Sequence, residues 1–231
     1  MNNFRIPLSV LLLTFLTTAH GQTQRLSIGI EGGPSLISLR GNSAVNSYGS
    51  GFSFAAGVAV QYNISTHFSL RTNVHFERKG TNTKVLFTDV NGATIRDGRI
   101  HLNFDYITLP LLARYSVGER IRFMANAGPF VGYLLNQTGS FRGVGNDPSI
   151  EYFRLQDFNR IDFGIALGVG TAIPIGSHIL FSVELRDNLG LMNISKVPVI
   201  GNGSIKTNSV VLLIGLAYSF GNTVIGKGSV D

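Results

Sequence analysis

The sequence predicts an all-β chain, an eight-stranded antiparallel up-and-down transmembrane β-barrel, on three observations. After Gly21, apolar and polar residues alternate with a period of two through most of the chain, which places one residue set on each face of a strand. Tight and long connections alternate along the sequence, as in a barrel whose short turns lie on one side of a membrane and whose long loops lie on the other. Formal charges fall almost wholly on the set opposite the apolar one. A soluble barrel needs the reverse, with an apolar interior and charges outward.

Composition agrees with one folded domain. The chain has 231 residues, Lys+Arg 19 against Asp+Glu 13 for a net charge of +6, and a charged fraction of only 14%. So low a charge fraction argues against disorder, and the basic residues are scattered rather than clustered, which excludes a nucleic-acid footprint. Cysteine is absent, removing disulfides, thiolate metal sites and thiol nucleophiles together.

Residues 1–21 read as a signal peptide: Arg5, an apolar run from Ile6 to Phe15, then Ala19 and Gly21 flanking a cleavage point before Gln22. The run is short of the ~20 residues a spanning helix needs. The barrel is expected over 22–220 and a periplasmic tail over 221–231. A short first strand is expected from Leu26 to Gly33. In the second, Phe52, Phe54, Ala56, Val58, Val60 and Tyr62 form the apolar set. In the third, Phe68, Leu70, Val74 and Phe76 oppose Arg71, Asn73, His75, Glu77 and Lys79. In the fourth, Ile100, Leu102, Phe104 and Tyr106 share a face, but from Ile107 the apolar set moves to odd positions, which predicts a β-bulge beside Pro110. Alternation returns from Ile121 to Leu135, Ile161 to Ile173, Ile179 to Leu189 and Val210 to Phe220. Tight connections join at 64–67, 117–119 and 174–178; long ones fall at 34–50, 81–99, 136–159 and 191–207.

Within the apolar sets the formal charges are Arg78 and Asp187, both near the loop ends of their strands, where a charge costs ~0–1 kcal/mol instead of ~2–4 at the midplane. Aromatic residues cluster near both strand ends, Tyr62, Phe68, Tyr115, Phe181, Tyr218 and Phe220 toward the short turns and Phe52, Phe76, Phe104, Tyr133 and Phe163 toward the loops. Two interfacial girdles place them so. Eight strands enclose only enough room for side chains. The charges of the opposite set, Arg71, Glu77, Asp105, Arg114, Arg122, Asp162, Glu184 and Arg186, are therefore expected to form a lumenal ion-pair network, with inward glycines leaving them space.

Other motifs carry little chemistry. His75 with Glu77 and His101 with Asp105 read as a polar core rather than a catalytic or metal set. Gly168-Val169-Gly170 has Ile173 where a dinucleotide loop needs its third glycine, and no helix follows. No catalytic residue, metal ligand or cofactor is assigned. The loop segment with Phe141, Tyr152, Phe153, Arg154 and Phe158 combines aromatics with Arg, a composition that favours contact sites; the alternative is a loop packing its own aromatics over the barrel mouth.

Several segments resemble the PorT-like outer-membrane β-barrel domain family: Tyr106-Ile107-Thr108-Leu109-Pro110-Leu111-Leu112-Ala113-Arg114-Tyr115, Phe76-Glu77-Arg78-Lys79-Gly80-Thr81, Ala127-Gly128-Pro129-Phe130-Val131-Gly132-Tyr133-Leu134 and the closing Leu216-Ala217-Tyr218-Ser219-Phe220. The resemblance implies an eight-stranded outer-membrane barrel, supplies no catalytic residues, and points to a family whose namesake takes part in a secretion system. The expectation is a non-enzymatic outer-membrane protein in contact with lipid, meeting a protein partner through extracellular loops or periplasmic turns. The competing reading is a lipid A-modifying enzyme, which calls for a Ser/His/acid set at the extracellular rim.

Overall fold

Eight strands close into a barrel in chain order, each antiparallel to its neighbours, with β8 returning to β1. The structure, a computed structural model, describes residues 26–46, 49–88, 94–143, 155–199 and 203–220. The expected signal segment and tail lie outside these residues. The strands are β1 (Leu26–Arg40), β2 (Gly51–Asn63), β3 (Phe68–Thr88), β4 (Thr94–Val117), β5 (Arg122–Gly143), β6 (Ile161–Ile175), β7 (Ile179–Gly190) and β8 (Lys206–Phe220). A closed ladder satisfies every barrel-wall amide between strands, the condition for β-structure in hydrocarbon.

The period of two sorts the residues as the charges demand. On β3, Phe68, Leu70 and Val74 are exposed on the outer wall, while Arg71, Asn73, His75, Glu77 and Lys79 are buried inside. Aromatic contacts mark both ends of the apolar wall: Phe68–Tyr115 at 5.0 Å and Tyr218–Phe220 at 5.1 Å by the short turns, and Phe54–Phe76 at 5.8 Å by the loops. The turns before β5 and β7 hold Gly118 at φ 105° and Gly176 at φ 68°, a region where a Cβ is strained.

Three expectations need correction. Strand β1 runs to Arg40, because its ladder with β8 continues to Arg40↔Lys206. The stretches expected as loops at 81–99 and 136–143 are mostly strand: β3 and β4 pair out to Thr88↔Thr94, and β5 follows β4 to Gly98↔Gly143. Their Gly, Asn and Thr content hid a sheet that has no lipid to face.

The third correction concerns phase. Leu102, Phe104, Tyr106, Leu112 and Arg114 are all buried inside, while Leu109, Leu111 and Tyr115 are outside, so β4 keeps one phase past Pro110. What changes along it is the interior, from apolar to polar. The irregularity lies on β5, where pairing passes from Asp105↔Asn136 to Tyr106↔Leu134 and leaves Leu135 as the extra residue of a bulge.

Candidate functional site

Toward the short turns and the middle, the interior is ionic. Among the described residues it buries four cations (Arg71, Lys79, Arg114, Arg186) and four anions (Glu31, Glu77, Asp162, Glu184), together with His75. Arg114 Nη2 donates to Glu184 Oε2 at 2.8 Å and its Nε to Asn126 Oδ1 at 2.7 Å. Arg186 Nε donates to Glu184 Oε1 at 2.6 Å, and its Nη2 lies 3.6 Å from Glu31 Oε1. Glu31 also accepts from Arg71 and Asn73, and its Oε1 lies 2.8 Å from His75 Nε2. Gln61 Oε1 sits between two like charges, accepting from Arg114 at 2.8 Å and Arg71 at 3.5 Å.

A second knot lies nearer the loops. Lys79 Nζ donates to Asp162 Oδ2 at 3.2 Å, lies 3.9 Å from Glu77 Oε2 and stands 4.3 Å from the Phe130 ring centroid. Glu77 accepts from Thr108 at 2.9 Å, Asn188 at 2.9 Å and Ser209. Each ion therefore has an opposite charge or hydrogen-bond donors within reach, the condition for keeping it in a dry interior.

Glycine makes the room. A Cβ on Gly168 lies 2.8 Å from Glu184 Oε1, and one on Gly57 lies 2.5 Å from the His75 ring. The void left beside Ser27, Glu31, Gln61, Arg71 and Arg114 is about 10 Å3, space for about one water.

Toward the loops the same inward set turns apolar. Leu39, Leu102, Phe104, Tyr106 and Leu134 from the strands meet Val45, Phe158 and Ile194 from the connections. Val45 sits on a single helical turn, α1 (Ser43–Asn46), whose cap is Asn42 Oδ1 accepting from Val45 N at 2.8 Å. Phe158 meets Phe104 edge-on at 4.7 Å. Two loops are tied together over this layer, Asn159 N donating to Ile194 O at 2.7 Å and Lys196 N to Asp157 O at 2.9 Å.

Of the eight residues expected in the lumenal network, six lie in it: Arg71, Glu77, Arg114, Asp162, Glu184 and Arg186. Asp105 does not. It belongs to the outer set of β4 and pairs with Arg78 across the β3–β4 ladder, Nε to Oδ1 at 2.6 Å, because the phase of β4 differs from the one expected. His101 moves outward with it. Arg122 stands at the turn rim, its Nη2 donating to Thr66 O at 2.6 Å, since its strand begins there and the interior network starts a level higher. Glu31 was missed because it follows a first strand judged too short to contribute. Lys79 was read as inward but not as a network member.

Among the expected loop contacts, Phe158 is a plug residue, 2% exposed, and so closes the mouth instead of offering a surface. Phe141 is on β5 opposite Ile100. Tyr152, Phe153 and Arg154 lie outside the described residues. Among the described residues no group of three or more His, Asp or Glu is placed to hold a metal ion.

A family described as outer membrane protein beta-barrel domain matches residues 19–196, more than half of the sequence. The chain belongs to this family. It is an integral outer-membrane barrel, with the short turns on the periplasmic side and the loops outside. No curated protein matches. Similar solved structures include Neisserial surface protein A, 13% identical over 87% of this chain and 100% of that one, with a TM-score of 0.47. Others are Ail, the attachment invasion locus protein of Yersinia pestis, at 12%, 85% and 99% with 0.40, and the outer membrane protein OprG from Pseudomonas aeruginosa, at 14%, 86% and 99% with 0.42.

Proposed function

We propose that this barrel is a non-enzymatic binding component of the outer membrane whose contacts are made by its extracellular end. The observation that carries this reading is a contrast: the interior is filled by an ionic core and an apolar plug, while β3, β4 and β5 continue beyond the barrel. A filled lumen offers no path for solutes, whereas a sheet standing on a rigid barrel offers surface without disturbing the fold. The PorT-like segments, above all Tyr106 to Tyr115, favour a secretion-associated role. A lipid A-modifying reading gains nothing from the one buried His–carboxylate contact, His75–Glu31, which faces the lumen and not the outer leaflet.

The test is site-specific photocrosslinking in cells. A photoreactive residue at Asn82, exposed on β3, is compared with one at Ser65, exposed in a periplasmic turn. Protein adducts at position 82 and none at 65 are expected. Adducts confined to 65 would move the function to the periplasm, and turnover of lipid A by the purified barrel would make it an enzyme. Replacing Phe153 and Arg154 together with Ala asks whether the neighbouring loop shares the contact.

A further inference from the structure

The three strands that outgrow the barrel carry an unusual register. Strands β3, β4 and β5 have 21, 24 and 22 residues, against 12 to 15 for the other five. Pairing of β2 with β3 stops at Ala55↔Glu77, and that of β5 with β6 at Tyr133↔Ile161. Beyond those points the three strands form a sheet of their own, and its rows can be read directly from the two ladders.

One row is Asn82–His101–Ser140, and the next outward on the same residue set is Lys84–Arg99–Arg142. Asn82 and Thr138 are exposed, while Thr81 and Leu102 are buried. By the period of two, the basic row therefore belongs to the outer set, the one that continues the lipid-facing wall upward. The rows alternating with it, Thr81–Leu102–Gly139 and Thr83–Ile100–Phe141, belong to the inner set.

Three cations directly opposite one another across a sheet repel, and such pairing is destabilising. Elsewhere this chain avoids it: the outer-set charge Arg78 is opposite Asp105, and the buried cations face carboxylates. The nearest acid on the same set of the described strands is Asp97, opposite Leu86 rather than in the row. Neighbouring strands are ~4.8 Å apart, so the row spaces its charges at about one strand width. Two of the three are Arg, whose planar fork binds phosphate and sulfate oxygens in pairs. From Phe76 to Lys84 is eight residues, at ~3.3 Å each and a tilt of ~35–45° about 20 Å above the upper aromatic level. That height is beyond the bilayer surface, among surface sugars.

We propose that the Lys84–Arg99–Arg142 row is a binding site for an anionic glycan, a saccharide chain bearing phosphate or sulfate groups outside the membrane. This rests on the reading of the extracellular end as the contact surface. The glycan can come from the cell's own lipopolysaccharide or from an external polymer, and the two sources share the chemistry.

The purified barrel in detergent is titrated with fluorescent dextran sulfate, neutral dextran, and liposomes containing lipopolysaccharide. Arg99→Gln, at the centre of the row, is compared with Arg120→Gln in a periplasmic turn; heat-modifiability on gels confirms folding, and Lys84→Gln and Arg142→Gln stand in if Arg99→Gln fails to fold. Loss of one forked, charge-assisted contact weakens binding about tenfold. Expected is salt-sensitive binding of an anionic probe, none of neutral dextran, an about tenfold loss in Arg99→Gln and no change in Arg120→Gln. Whichever anionic probe shows that loss identifies the source. Equal binding by Arg99→Gln and wild type, or equal binding of neutral dextran, overturns the site. Protein crosslinks confined to the periplasmic turns would defeat the proposed function yet leave this glycan titration unchanged, so the two failures are separable.

Discussion

Toward the periplasmic turns the barrel is held by Glu31, Arg71, Arg114, Glu184 and Arg186, each contributed by a different strand or a different level; toward the loops it is held by Leu102, Phe104, Leu134, Phe158 and Ile194. The two halves differ in how they specify structure. Ion pairs are directional, so Glu31 of β1 reaching Arg71 of β3 and Arg186 of β7 fixes strands that are not neighbours in the ladder. Apolar contacts are non-directional, and so they suit the end where loops of irregular backbone must be gathered in. The plug also keeps water from the ions beneath it, which strengthens their attraction. An ionic core is tolerable here because its charges balance and because the bilayer requires the apolar residues on the outer wall.

The sharpest way to break this contrast is to unbalance the ionic half. Glu31→Ala leaves Arg71 and Arg186 facing one another without the carboxylate they share, and should cost about 3–5 kcal/mol. Urea titration followed by gel heat-modifiability measures it, and the absence of Trp makes tyrosine fluorescence the optical check. In the apolar half, Phe158→Ala should cost about 3 kcal/mol but act locally: the loop around 155–160 becomes open to protease while the barrel still migrates as folded. If Phe158→Ala melts the barrel wall as Glu31→Ala does, the halves are not independent. Gly168→Ala presses a Cβ against Glu184 Oε1, and overpacking of this kind costs about 1–3 kcal/mol. The smallest effect belongs outside: the Arg78–Asp105 pair is half exposed at the membrane rim, so Arg78→Ala should change stability by less than about 1 kcal/mol.

The sequence carried the barrel wall in full view, since lipid demands an apolar outer set and Phe68, Leu70 and Val74 could face nothing else. It carried most of the ionic half for the same reason. It hid the plug, because an apolar inner set on β4 mimics an outer one: Leu102, Phe104 and Tyr106 read as lipid-facing, and Asp105 and His101 were assigned inward in consequence. Glu31 was legible only once β1 was known to pair with β8 as far as Arg40. The extension beyond the barrel was illegible for a different reason. With neither lipid nor core on either side, a strand loses its alternation, and Thr81, Asn82 and Thr83 look like loop. Only the register, set by the neighbouring strands, brings Lys84, Arg99 and Arg142 into one row.

The claim that joins these parts is that the interior is solid and the working surface lies outside it. Planar-bilayer recording of the reconstituted wild-type barrel tests it most directly. The account predicts no steady ionic conductance in wild type. A stable open current through the wild-type protein would contradict it, since neither the paired ions nor the Phe104–Phe158 plug could then span the lumen as described.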